Sequence, residues 1–306
     1  SRHFPVGGGM AAFRAHLGMV VYTLIIAGSF PVVSAITPGH DSIVLTFWRF
    51  LAATLVFALM LPFRRGARRP PGIGDLGRYA VVGGSYGLFF ILMFEALKET
   101  SPINTSTIYT TLPLMTALLG GLMGEPVRLR QLGILALSMA AAIWVVFRGD
   151  WSRMASLAFS RGDLLFFLGT VSLAVYVLAL QKLQRDESRV RFTFYSLTAA
   201  TLALMAAALI QTGSLPMPGA PVWLGLAYLA VLSTAVTFWM LQFAAVRLGP
   251  NRVVAYTFLT PSAVAAMEWA MGRSAIGASV LPGIALTLLA VVLLQLPTVS
   301  GARPIR

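Results

Sequence analysis

Ten apolar runs follow one another along the chain with only short polar breaks, at about 15–36, 42–63, 76–97, 102–123, 130–147, 163–183, 192–210, 221–246, 251–272 and 278–297. Each is close to the ~20 residues that a helix needs to cross the hydrocarbon core of a bilayer. Inside that core a backbone polar group finds no water, so a helix that satisfies its own amides is the natural spanning form. Composition agrees: of 306 residues, 58% are hydrophobic and 11% charged, against about 25% charged in an ordinary soluble domain. The chain therefore reads as an all-α membrane protein of ten transmembrane helices, with no room for a separate soluble domain. The first run has no small-residue cleavage site behind it and reads as a retained helix, not a signal peptide.

The net charge of +13 would point to nucleic acid in a soluble protein, but here the charges fall between the apolar runs. With the N-terminus in the cytoplasm, the outer loops hold Lys98, Arg148, Arg153, Arg161 and Arg273, Arg49 lies within a span, and the other 17 of 23 Lys and Arg face inward. Cytoplasmic loops attract Lys and Arg, so this split places both termini inside and requires an even number of spans. The basic loop Arg64–Arg69 is then a topology determinant, with anionic lipid contact secondary. No nucleic-acid partner is expected; the lipid bilayer is one.

A second feature restricts the fold further. At an offset of 148, Pro102 falls on Pro250, Pro113 on Pro261 and Gly124 on Gly272; upstream, Ala52-Ala53-Thr54-Leu55 matches Ala199-Ala200-Thr201-Leu202 at an offset of 147. The chain divides into an N-terminal tail (1–14), a first five-helix repeat (15–147), an outer linker (148–162), a second five-helix repeat (163–297) and a C-terminal tail (298–306). Because five crossings are an odd number, the second copy is upside down relative to the first. Two inverted five-helix repeats around a central cavity are a recurrent plan of secondary transporters, with the substrate site near the midplane. Pro113 and Pro261 lie about halfway along the fourth and ninth spans, where each would free a backbone carbonyl at a depth that tolerates it only against protein or water. Pro102, Pro113, Pro250 and Pro261 are thus hinge or kink candidates; the alternative is a static kink of the kind common in membrane helices.

Mid-span polar residues supply the candidate cavity. Tyr86, Tyr109, Tyr176 and Tyr256 lie near the middles of their spans, and Trp239 nearer the end of its own. Tyr and Trp normally gather at the interfaces, so mid-span tyrosines are candidates to stack on an aromatic substrate, with ordinary packing as the alternative. Asn104, Thr107 and Thr111 share one helix face and could hold both ends of a zwitterionic solute, or bond between helices. Arg49 and Glu268 are intramembrane charges and so candidates for function. Arg49 could draw a carboxylate or pair with a helix end, whereas Glu268 is near enough to its end to reach the interface. Gly83/Gly87 and Gly120/Gly124 have the spacing of close helix packing.

The order of these elements resembles the drug/metabolite transporter superfamily, specifically its EamA-type ten-helix members. The mid-helix proline Pro113 followed by Gly124-Glu125, and Trp48-Arg49-Phe50 early in the second span, carry the resemblance, which runs from about 15 to 297. The second half departs from the pattern, because Arg273 follows Gly272 where the family often has a second glutamate. Within the superfamily the chain most resembles the bacterial exporters of aromatic amino acids, which implies outward movement of amino acids and related metabolites across the bacterial inner membrane.

The expected function is a secondary carrier or facilitator that exports small metabolites, amino acids including aromatic ones, by alternating access. The alternatives are a multidrug or nucleobase exporter of the same fold and a non-transporting scaffold. An enzyme is disfavoured, since no span holds paired carboxylates or a serine with histidine. The chain has no cysteine, its histidines are His3, His16 and His40, and it lacks a phosphate-binding GxxxxGK[ST] loop. Neither a metal nor another cofactor is expected, nor ATP drive. The spacing leaves the oligomeric state open, a monomer included.

Overall fold

The computed structural model describes residues 9–61, 72–124, 129–146, 150–152, 160–185, 187–248, 253, 256–273 and six single positions between 282 and 292. Among the described residues all regular structure is helical: α1 (Gly9–Ile36), α2 (Ser42–Met60), α3 (Ile73–Ala96), α4 (Pro102–Tyr109), α5 (Leu112–Leu122), α6 (Leu129–Val146), α7 (Arg161–Leu183), α8 (Arg189–Thr212) and α9 (Ala220–Ala227). A π-helical segment (Tyr228–Val236), α10 (Thr237–Leu248), a 3₁₀ turn (Tyr256–Leu259) and α11 (Thr260–Ala270) follow. Among the described residues six helices are long and apolar enough to cross a membrane. Most of the tenth apolar run, with Glu125 and Pro250, lies outside the described residues.

The helix ends follow from local chemistry. Asp41 accepts from the amides of Ile43 and Val44 to start α2, and Ser160 and Asp163 form a reciprocal capping box on α7, each satisfying orphan amides. Pro102 is the first residue of α4, a position whose missing N–H is no loss; it starts a helix and does not bend one.

The fourth apolar run is divided just before Pro113. After Tyr109 the chain takes a tight turn through Thr110 and Thr111, and Pro113 is the second residue of α5. The hydroxyls of Thr110 and Thr111 donate to the carbonyls of Thr107 (2.6 Å) and Ile108 (2.7 Å), covering acceptors beside the break. In the second half the 3₁₀ turn at Tyr256–Leu259 precedes α11, whose second residue is Pro261. Both segments end on a glycine in the left-handed region, Gly124 at φ 85° and Gly272 at φ 69°, which a side chain would strain. The sequence repeat is therefore also a repeat of local geometry.

Helices of the two halves interleave. α3 packs on α7 and α8, α2 on α8 and the π segment, α1 on α10 and α11, and α4 on α7 and α11. Thr54 of α2 and Thr201 of α8, equivalent in the sequence repeat, share a hydrogen bond of 3.1 Å. The Gln211 amide near the far end of α8 donates to Asp41 at the start of α2, at 3.1 Å, so these equivalent helices run antiparallel. Where α3 meets α8, a Cβ on Gly83 would come within 2.1 Å of the Ser196 carbonyl oxygen, and one on Gly87 would touch Ala200 and Leu204. The Gly83/Gly87 pair thus packs helices.

Polar ties hold the α3–α7 pair at both ends. At one end the guanidinium of Arg78 grips both carboxylate oxygens of Glu187, one at 2.8 Å, and also donates to Asp75 (3.0 Å) and to the Leu183 carbonyl (2.9 Å). Tyr79 donates to Glu187 at 2.9 Å. At the other end Thr100 donates to Asp163 (2.5 Å) and Arg161 pairs with Glu99 (3.0 Å). Sequence reading took Arg78 only as a topology charge; its partner Glu187 is distant in sequence.

Candidate functional site

Three tyrosines from three helices pack on one interior core. Tyr86 of α3 and Tyr176 of α7 stack at 4.2 Å with rings 17° apart, and Tyr109 of α4 packs on the same core; Tyr22 of α1 packs on a second cluster, with Tyr256. Phe50, Phe90, Phe30 and Phe166 frame them, with Phe50 at 5.6 Å and Phe90 at 4.8 Å from Tyr86, and Phe30 edge-on to Tyr109 at 5.8 Å. Among the described residues the hydroxyls of Tyr22, Tyr109 and Tyr176 meet no hydrogen-bond partner, yet all three side chains keep accessible surface. Rings with a few unsatisfied polar tips are what a small planar solute requires.

Arg49 forms one side of this group. It lies seven residues into α2, about 10 Å along the helix axis, and is 1% exposed. Its guanidinium lies over the Phe90 ring, 3.6 Å from the centroid, and Nη2 reaches the Thr234 hydroxyl at 3.5 Å, a long and weak bond. Nη1 has no hydrogen-bond partner among the described residues. Among the described residues no carboxylate pairs with Arg49. A cation over an aromatic face gains about 0.5–2 kcal/mol, less than the several kcal/mol needed to strip an ion of water. The charge is incompletely compensated among the described residues.

Thr234 belongs to the π segment, where its hydroxyl donates to the Leu229 carbonyl five residues back, at 2.9 Å; the Tyr86 hydroxyl also reaches it. π-helical turns are rare and gather at functional sites because the widened turn redirects side chains. The matching stretch of the first half, in α3, is ordinary α-helix.

The other expected residues are placed apart from this group. Asn104 donates to Asp163 at 3.4 Å, Thr107 is buried with its hydroxyl on the Ile103 carbonyl (2.9 Å), and Thr111 serves the helix break. Tyr256 bonds His16 Nδ1 at 2.7 Å and packs with Ala15, Met19, Ala244 and Leu248 in a separate cluster. Trp239 is 37% exposed, edge-on to Phe238. Glu268 is 7% exposed, with Arg273 3.8 Å away. Pro250 lies outside the described residues. Sequence reading missed Phe90 and Thr234; no signal in the sequence singled out Thr234.

The sequence pattern of the EamA-like transporter family matches residues 13–147 and again 160–296, so the family unit occurs twice. An uncharacterized transporter of Bacillus subtilis strain 168, YyaM, is 25% identical over 231 residues, covering 74% of this chain and 75% of that protein. An uncharacterized transporter of Archaeoglobus fulgidus is 26% identical over 249 residues, 81% of this chain and 86% of its own length. A solved crystal structure superposes with a TM-score of 0.63 at 19% identity, over 91% of this chain and 95% of that one, which shows a shared fold alone. With two family units covering most of its length and helices that span a bilayer, the chain belongs to the EamA-like transporter family and is a multi-pass membrane transporter.

Proposed function

We propose that the chain is a secondary carrier or facilitator that exports small metabolites, aromatic amino acids among them, by alternating access around the tyrosine cluster. The observation that carries this reading is the convergence of Tyr86, Tyr109 and Tyr176 on one core between helices of both halves, the hydroxyls of Tyr109 and Tyr176 without a hydrogen-bond partner among the described residues. Rings offer a stacking surface for a planar side chain, and hydroxyls can both donate and accept at its polar end.

Ten spans arranged as two inverted repeats are the architecture for this cycle. The antiparallel run of α2 against α8, and the bond between the equivalent Thr54 and Thr201, support a pseudo-twofold axis in the membrane plane. A residue touching its own counterpart is what such an axis produces. The broken spans at Pro113 and Pro261 give each half a bend, and a bend at midplane depth is a natural hinge. The proposed site comprises Tyr86, Tyr109, Tyr176 and Arg49 of the sequence-derived set, joined by Thr234. We place the chain in the bacterial cytoplasmic membrane with both termini inside, from the distribution of Lys and Arg. Arg49 beside the cluster disfavours a cation exporter, the rival of the same fold.

The test is transport in liposomes. Purified protein should equilibrate labelled phenylalanine or a related aromatic metabolite faster than protein-free vesicles, and Tyr86→Ala should change the order of preference among solutes while the protein still folds. Vesicles with protein that exchange no aromatic solute faster than empty ones would refute the reading.

A further inference from the structure

The chain contains ten carboxylates: Asp41, Asp75, Glu95, Glu99, Glu125, Asp150, Asp163, Asp186, Glu187 and Glu268. None lies in the middle of a span. Several are engaged at helix ends: Asp75 and Glu187 with Arg78, Glu95 with Lys98, Glu99 with Arg161, and Asp163 with Thr100; Glu268 near the end of α11 has Arg273 at 3.8 Å and no hydrogen-bond partner for Oε1 among the described residues. Among the described residues Arg49 is therefore a cation within the membrane with no acid paired to it. Its Nη1 is buried and unpartnered among the described residues, and its guanidinium lies over Phe90, the ring that packs on Tyr86 at 4.8 Å. A buried guanidinium that, among the described residues, is held by one ring face and one weak hydroxyl bond calls for an anion.

We infer that this site prefers, among aromatic metabolites, a monocarboxylate lacking an α-ammonium group over the corresponding amino acid, with Arg49 as the residue that holds its carboxylate. This inference rests on the proposal that the tyrosine cluster is the transport site, and adds the charge of what enters it. Guanidinium and carboxylate match in a two-bond fork, and Nη1 supplies the donors that the described residues leave free. A zwitterion would bring its ammonium into the same low-dielectric surroundings, where no described carboxylate lies to receive it, close to a like charge. The aryl ring of the solute would slide against the Tyr86–Tyr176 stack and the Phe50–Phe90 wall.

Three compounds with the same phenyl group and two-carbon chain separate the possibilities: 3-phenylpropionate (anion), phenylalanine (zwitterion) and phenethylamine (cation). Binding to the purified full-length protein in detergent at pH 8 is read from the rise in unfolding midpoint with ligand concentration, which reports affinity directly. The expected order is 3-phenylpropionate at least about 10-fold tighter than phenylalanine, with phenethylamine undetected. Arg49→Gln should abolish the lead of 3-phenylpropionate, and Arg49→Lys should retain part of it. The ranking in the unaltered protein requires no variant, so a misfolded Arg49→Gln leaves the test intact. Phenylalanine binding as tightly as 3-phenylpropionate, or better, overturns the inference and leaves the aromatic-carrier reading standing. Preference for phenethylamine overturns the inference too. Binding of none of the three, together with no exchange in liposomes, overturns both.

Discussion

Replacing Arg78 by Met tests the tie between the halves. Arg78 and Glu187 are each 7% exposed in their side chains and meet through two parallel bonds, so solvent screens them little. Removing the guanidinium leaves the Glu187 carboxylate with Tyr79 and a backbone amide of Arg185 as its remaining donors. Breaking a buried pair from one side costs about 3–5 kcal/mol; these surviving bonds argue for the low end, about 3 kcal/mol. At the ~2 °C per kcal/mol that applies to chains of this size, the unfolding midpoint in detergent should fall by about 6 °C. Replacing both residues by apolar ones, Arg78→Met with Glu187→Leu, should recover part of that loss, because no orphan charge is left.

The same pair gives a pH signature. Burial pushes the Glu187 carboxyl up, but the bonds from Arg78 and Tyr79 outweigh it and hold the group below its ordinary 4.5. A depressed acid stabilises the fold above its unfolded value, and that stabilisation is lost as pH falls through the folded value. The gap between wild type and Arg78→Met should thus be constant from pH 8 to about 5 and should close below about 4.5. A midpoint change under about 1 °C at pH 7, with no closing in acid, would show that the clasp does not hold the halves, against the estimate from pair burial.

Three further outcomes follow from particular residues. Gly83→Ala should destabilise the protein by about 1–3 kcal/mol as an overpacked contact, since its Cβ would meet the Ser196 carbonyl. Gly84→Ala, with nothing within 4 Å, should be neutral or stabilising by up to about 1 kcal/mol, and equal effects at the two sites would refute the α3–α8 packing. The absence of native cysteine makes Thr54→Cys with Thr201→Cys a clean pair, expected to be joined by a short bifunctional thiol reagent; failure to join would count against direct contact of the repeat equivalents. Pro113→Ala or Pro261→Ala should favour a continuous helix by up to about 3 kcal/mol, raising the unfolding midpoint while slowing exchange in liposomes; unchanged exchange would show that the breaks are static.

Spanning length, helical class and the duplication were written into the chain itself, because lipid forbids unpaired backbone over any window of ~20 residues and so forces a signal readable from hydropathy alone. Pro113, Pro261, Gly124 and Gly272 could be read for the same reason: each acts on its own backbone, within a turn. Which of the mid-span polar residues meet was not local information. Tyr86 and Tyr176 stack while Tyr256 goes to His16, and Arg49 finds Phe90 and Thr234 across three segments, because only the rotation and approach of packed helices decides which face looks inward. The π turn at Tyr228–Val236 and the Arg78–Glu187 clasp belong to that same level: they depend on contacts between segments far apart in sequence, to which no single stretch of residues commits.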